Sequence, residues 1–135
     1  MRPKPRWVSK KALPLLHEES LAEFGGARGV ADEGLLDSAL AYPINTFAYK
    51  PKSTLAELAA SGACGLARSH PFVDGNQRVA FLSIGVFLAI NGYRLVADQL
   101  DAIQTMVAVA AGTLDEPGLA TWIAKNMAEI PPPRN

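Results

Sequence analysis

Long apolar runs are missing from this chain, and so is any excess of one charge. Across 135 residues, 13 Lys and Arg balance 13 Asp and Glu. A surface without net positive charge lacks the field that holds duplex nucleic acid, so no direct nucleic-acid partner is expected. The most apolar stretch, Val79 to Ile90, falls short of the ~20 residues that span a bilayer, so no membrane partner is expected either. Cysteine is nearly absent. Cys64 stands alone in a helical pattern, cannot form an internal disulfide, and reads as a small buried hydrophobe rather than a nucleophile. The basic start, Arg2, Lys4, Arg6, Lys10 and Lys11, has no apolar core behind it. That excludes a secretory signal and leaves a cytoplasmic location as the expectation. Repeats, low-complexity tracts and linkers are also missing. One domain over residues 1–135 is expected, with 1–7 and 131–135 as loose termini.

What is present is a series of helices punctuated by Gly, Pro and Asn. Ser9 can cap a first helix that ends at Gly25-Gly26, although Pro14 inside it would remove one backbone bond. Asp32 caps a second, short helix that stops before Pro43. Ser53 or Thr54 opens a third, carrying Leu55, Leu58, Ala59, Ala63 and Leu66 at helical spacing. From Val79 to Ile90 no polar face exists, which predicts a helix buried on all sides. Two more follow, from about Asp98 to Ala111 and from Glu116 to Ala128. The expected fold is all-α, about six helices around the central helix from Gln77 to Ile90. Tyr42 to Pro51 is aromatic, β-branched and interrupted by proline, and reads as a loop or short irregular hairpin.

The chemistry is concentrated in His70-Pro71-Phe72-Val73-Asp74-Gly75-Asn76-Gln77-Arg78. His70 precedes a proline, which predicts an extended backbone there, and its imidazole can take a proton near neutral pH. Phe72 is suited to anchor the loop by burial, a contribution of about 1.5–3 kcal/mol. Asp74 is the only carboxylate between Glu57 and Asp98; it can hold a hard divalent cation or cap the helix. Gly75 permits close backbone approach, and Asn76 is a strong N-cap type that can also donate its amide to phosphate. The N–H groups of Gln77, Arg78 and Val79 would then face outward beside a permanently charged Arg78 guanidinium, making an anion site. A structural ion pair between Arg78 and Asp74 is the alternative.

This stretch resembles the motif of the Fic/Doc family, H-x-F-x-[D/E/N]-[A/G]-N-x-R, at every defined position. Phe24-Gly25-Gly26, Gly29-Val30-Ala31-Asp32, Leu35-Leu36, Ser38-Ala39-Leu40, Asn91-Gly92 and Ala110-Ala111-Gly112 are similar to the death-on-curing (Doc) branch. The resemblance runs from about Val8 to about Lys125. It implies a Fic/Doc-like bundle and a toxin that moves part of Mg-ATP onto a hydroxyl side chain of a target protein. In that scheme His70 is the catalytic base and Asp74 the Mg2+ ligand. Gly75, Asn76, Gln77 and Arg78 form the phosphate cradle, and Phe72 is the motif anchor. Within the family the segment Ala41 to Lys52 corresponds to a flap that holds the target by strand-like pairing; an ordinary ordered connector is the alternative.

The chain departs from both branch patterns at Gln77, where Doc proteins usually carry lysine and AMP-transferring Fic proteins glycine. The second arginine of the latter would fall at Phe81. A bulky residue at this position goes with phosphoryl transfer, but an uncharged one keeps AMP transfer open as the alternative. A non-enzymatic partner-binding module with a residual phosphate site is the third reading. An internal inhibitory pattern, [S/T]-x-x-x-E-[G/N], is approached only by Ser53 and Glu57, and Leu58 follows them. The resemblance therefore implies a separate antitoxin whose tail folds on binding, with Leu13, Leu16 and Leu21 as candidates for its groove. It also implies a target bearing Ser, Thr or Tyr, for which family analogy suggests a translation elongation factor.

Overall fold

Four of the helices start where a side-chain oxygen takes up a first-turn amide. In the computed structural model, which describes residues 4–131, Asp32 accepts from Leu35 N, and Asp98 from Asp101 N. Asp115 accepts from Gly118 N. Thr54 and Glu57 form a reciprocal capping box, at 3.1 and 2.9 Å. The described residues contain six helices: α1 (Ala12–Phe24), α2 (Glu33–Tyr49), α3 (Leu55–Ser69), α4 (Asn76–Ile90), α5 (Gln99–Ala111) and α6 (Glu116–Asn126). Two short strands, β1 (Tyr93–Leu95) and β2 (Met127–Glu129), pair antiparallel with Arg94 opposite Ala128. The last helix is thus shorter than expected, because Met127 and Ala128 join this strand pair. No helix among the described residues is long and apolar enough to cross a membrane.

α3 packs against α2, α4 and α6, while α4 packs against α1, α3 and β1. Leu13, Leu36, Leu58, Ile84, Leu88, Leu119 and Ile123 fill the space between them. α4 is central but not enclosed on all sides. Val79, Ala80, Ser83, Ile84, Phe87 and Leu88 are buried, whereas Phe81, Leu82 and Val86 are half-exposed. Phe81 and Leu82 line a groove of about 580 Å³ whose other walls come from α1 and α5. Leu13 and Leu21 do not line it, since both belong to the core at 1% and 8% exposure.

The largest departure from expectation is α2, which runs through Pro43 to Tyr49. The flap loop expected over Ala41 to Lys52 is therefore helical for most of its length. A proline inside a helix costs about 3 kcal/mol, because one N–H is lost and the ring crowds the preceding turn. Tertiary packing offsets that. α3 presents glycines to α2: a β-carbon on Gly62 would lie 3.7 Å from Pro43 Cγ, and one on Gly65 would lie 3.5 Å from Ala39 Cα. Thr46 also donates its hydroxyl to the Tyr42 carbonyl.

At the N-terminus, Pro14 sits in the first turn of a helix that begins at Ala12, where an N–H has no helical partner to lose. Ser9 accepts from Ala12 N in the turn before it. Residues 1–7 were expected to be loose, but Trp7 packs against Phe47 and Phe87. Asn91 bridges the Arg6 N–H and carbonyl. Residues 1–3 and 132–135, also expected to be loose, lie outside the described residues.

Gly65 offers a test of the α2–α3 contact. Its substitution by Ala places a methyl at ordinary contact distance and should raise stability by about 0.5–1 kcal/mol. Gly65→Val should instead lower it by about 1–3 kcal/mol through overpacking. Urea denaturation midpoints check both; a Gly65→Val protein as stable as the wild type would show the crossing to be loose.

Candidate active site

α3 ends at His70, whose backbone is left-handed, with φ 54° and ψ 55°. The expected extended conformation is not adopted. Among residues other than glycine, His is one of the few types that enter this region readily, and the sharp reversal turns the chain straight into the motif loop. His70 itself is exposed. A strained backbone at an exposed imidazole is the kind of feature that a folded protein maintains for a site.

Beyond His70 the loop is pinned by burial. Phe72, 2% exposed, inserts into the core. Its backbone forms an isolated bridge with Val30, the Pro71 carbonyl accepts from Ala31 N, and Val73 N donates to the Gly29 carbonyl. The extended segment beside the motif is thus 25–32, the glycine-rich exit from α1, rather than 41–52.

Asn76 is not the N-cap. Gly75, left-handed at φ 74°, occupies that position without a side-chain cap, and Asn76 is the first helical residue. Its side chain, buried at 8% exposure, turns back onto Phe72, accepting from Phe72 N at 2.9 Å and donating to Phe72 O at 3.0 Å. The first backbone bond of α4 runs from Val79 N to Gly75 O. The amides that the helix does not use are therefore those of Asn76, Gln77 and Arg78, one residue earlier than expected.

The end of α1 positions the two charged groups. Arg78 lays its guanidinium over the Phe24 ring, 5.3 Å from the centroid, and donates to the Gly25 carbonyl. The ion pairs among the described residues join Lys10 to Glu33 and Asp37, and Arg28 to Glu18; Arg78 is in none of them. The alternative of a structural Asp74–Arg78 pair is not adopted. The exposed Asp74 carboxylate accepts from Gly75 N at 2.8 Å through Oδ1 and from Ala27 N at 3.3 Å through Oδ2. A β-carbon on Gly26 would lie 2.8 Å from that Oδ2, and its φ of 122° is one that side chains rarely adopt, so glycine suits this position. Each carboxylate oxygen keeps lone-pair capacity. No cluster of three or more His, Cys, Asp or Glu that could hold a metal exists among the described residues. One available carboxylate beside an anion cradle fits Mg2+, which takes one or two carboxylates and completes its shell with phosphate oxygens and water.

Gln77 is exposed and, with Arg78, closes one end of the groove between α1, α4 and α5. Cys64 is buried as expected, and burial pushes its thiol up to about 11, so it is not a nucleophile at neutral pH. One residue of the site was missed in the sequence. His17 stacks on Phe72 with ring centroids 4.3 Å apart and bonds through Nε2 to the Asp74 carbonyl at 2.7 Å. The available signal was its spacing: it lies midway between Leu13 and Leu21, on the apolar stripe of α1.

Asn76→Ala should strand the Phe72 N–H and carbonyl in the interior and destabilise the fold by about 1–3 kcal/mol. Comparison of urea unfolding with the wild type checks this; a change within about 0.5 kcal/mol, typical of surface sites, would mean that the amide does not hold the loop.

Known proteins resemble this chain over much of its length. The model of the Fic/DOC family matches residues 7–88. A protein named Toxin Doc from Mycolicibacterium smegmatis is 45% identical over 76 residues, 56% of this chain and 58% of that protein's length. Protein kinase doc of Escherichia phage P1 is 30% identical over 120 residues, 89% of this chain and 94% of the phage protein. A helical fold, a motif loop matching at every defined position and a relative covered almost end to end lead to one conclusion: the chain belongs to the Fic/DOC family.

Proposed function

We propose that this chain is a Doc-type toxin that transfers a phosphoryl group from Mg-ATP to a Ser, Thr or Tyr hydroxyl of a target protein. The observation that carries the reading is Arg78: a half-buried guanidinium without a carboxylate partner, fixed beside the unused amides of a helix N-terminus. Such a place favours an anion of high charge, and phosphates supply one. The names of the relatives, Toxin Doc and Protein kinase doc, support the same class of activity.

In this scheme the amides at the start of α4 and Arg78 would bind the phosphates, and Asp74 would hold Mg2+. When bound there, Mg2+ would supply positive charge to offset the negative charge of the phosphates. His70 would accept the proton of the incoming hydroxyl as its oxygen bonds to the terminal phosphorus; the bond from that phosphorus to the bridging oxygen breaks and ADP leaves, and positioning accounts for most of the remaining rate. Asn76 contributes by fixing the loop, since both ends of its amide are engaged by Phe72. Gln77, bulky and exposed, supports the orientation that presents the terminal phosphate.

The partner is an antitoxin whose tail folds into the groove between α1, α4 and α5. Phe24, Ile103 and Val107 expose apolar side chains there, and Glu19 and Glu23 on α1 add acidic character to one wall. An amphipathic helix with a basic margin suits such a groove. It would end at Gln77 and Arg78, so occupancy and phosphate binding would compete.

His70→Asn is the sharpest test, because Asn tolerates the left-handed backbone while removing the base. Transfer should fall by ~10²–10⁴ with Mg-ATP binding by calorimetry unchanged; undiminished turnover would remove His70 from the mechanism. With γ-labelled ATP the wild type should label a protein in a cell extract, and with α-labelled ATP it should not. Gln77→Gly should open some α-label transfer. Label arriving only from the α position in the wild type would instead identify an AMP transferase.

A further inference from the structure

We infer that His17 on α1 is a positioning residue for this reaction, acting through the peptide plane between Asp74 and Gly75. The inference rests on the proposed role of Asp74 as a Mg2+ ligand. One imidazole touches two residues of the motif and lies beside a third. Its face stacks on Phe72, its Cδ2 lies 3.9 Å from where a Gly75 β-carbon would be, and its Nε2 reaches the Asp74 carbonyl. A carbonyl oxygen only accepts, so Nε2 carries the hydrogen. The neutral Nε2–H tautomer and the imidazolium both satisfy that contact.

The consequence follows from peptide planarity. The Asp74 carbonyl and the Gly75 N–H belong to one rigid trans unit and point in opposite directions. His17 holds the carbonyl end at 2.7 Å, and the N–H end donates to Asp74 Oδ1 at 2.8 Å. Turning this plane over would break both bonds and release the carboxylate from its rotamer. Glycine after the bond makes such a turn easy, because no β-carbon resists it. A buried ring, 2% exposed, therefore clamps the plane next to the ligand carboxylate from outside the motif. Ala27 N restrains the other carboxylate oxygen from the same side of the molecule.

Two substitutions separate donor from packing. His17→Phe keeps the stack on Phe72 and loses the N–H, whereas His17→Gln keeps a donor near the same place and loses the stack. In the full-length protein without nucleotide, the Gly75 amide resonance should shift markedly in His17→Phe and return towards the wild-type position in His17→Gln. Mg-ATP affinity, by calorimetry, should fall by about tenfold in His17→Phe, the worth of one buried hydrogen bond, and recover in His17→Gln. An unmoved Gly75 resonance with unchanged affinity in His17→Phe would overturn the inference. Equal loss in both variants would also overturn it, because stacking alone would then be responsible. Should His17→Phe not fold, the ring nitrogen shifts of the wild type decide the matter: an unprotonated Nε2 contradicts the assignment and a protonated, slowly exchanging one supports it. Absence of Mg-ATP binding by the wild type would instead count against the functional reading, while the Gly75 resonance would still report on the clamp.

Discussion

A buried side-chain amide closes the motif loop on itself, and the geometry of the site depends on it. Asn76 satisfies both backbone groups of Phe72 at once. Without it those groups would lie in the interior with no partner, which few folds tolerate. With it, the Phe72 ring can enter the core while its backbone pairs with Val30 on the other side. The loop is thus tied to α4, to the core and to the segment after α1. His70, Asp74 and Arg78 project from a frame whose own bonds are complete.

That frame is completed by α1 and its glycine-rich exit. Phe24 and the Gly25 carbonyl hold Arg78, Ala27 N holds Asp74, and His17 holds the peptide between Asp74 and Gly75. The absent β-carbon of Gly26 makes room for the Asp74 carboxylate. Small residues also lie at a helix contact away from the site, where Gly62 and Gly65 of α3 face Pro43 and Ala39 of α2. Close backbone approach is the common device, and it explains why glycines occur both around the motif and inside a helix.

How much of this was legible beforehand depended on whether the signal was local. Asp32, Thr54 with Glu57, and Asp98 announce helix starts through bonds spanning three residues, and each start is where the spacing put it. The motif was equally readable, since its residues are contiguous. Three features were not readable, and each depends on contacts distant in sequence or on a side chain turned away from its usual task. α2 continues through Pro43, packed against Gly62 of α3. Trp7 and Arg6 are ordered only because Phe47, Phe87 and Asn91 meet them. Asn76 has the composition of an N-cap, yet its amide serves a residue before the helix, and Gly75 takes the capping position. The Asn76 misreading matters most, because it concerns the capping position and shifts the unused amides of α4 one residue earlier.

The central claim is that this loop serves phosphoryl transfer to protein. Mass spectrometry of a cell extract incubated with the pure chain, ATP and Mg2+ tests it most directly. The account predicts a target whose Ser, Thr or Tyr side chain gains the mass of one phosphoryl group, with no such gain when His70→Asn replaces the wild type. A gain equal to AMP would contradict the proposed chemistry, and an extract left without any modified protein would contradict the enzymatic reading itself.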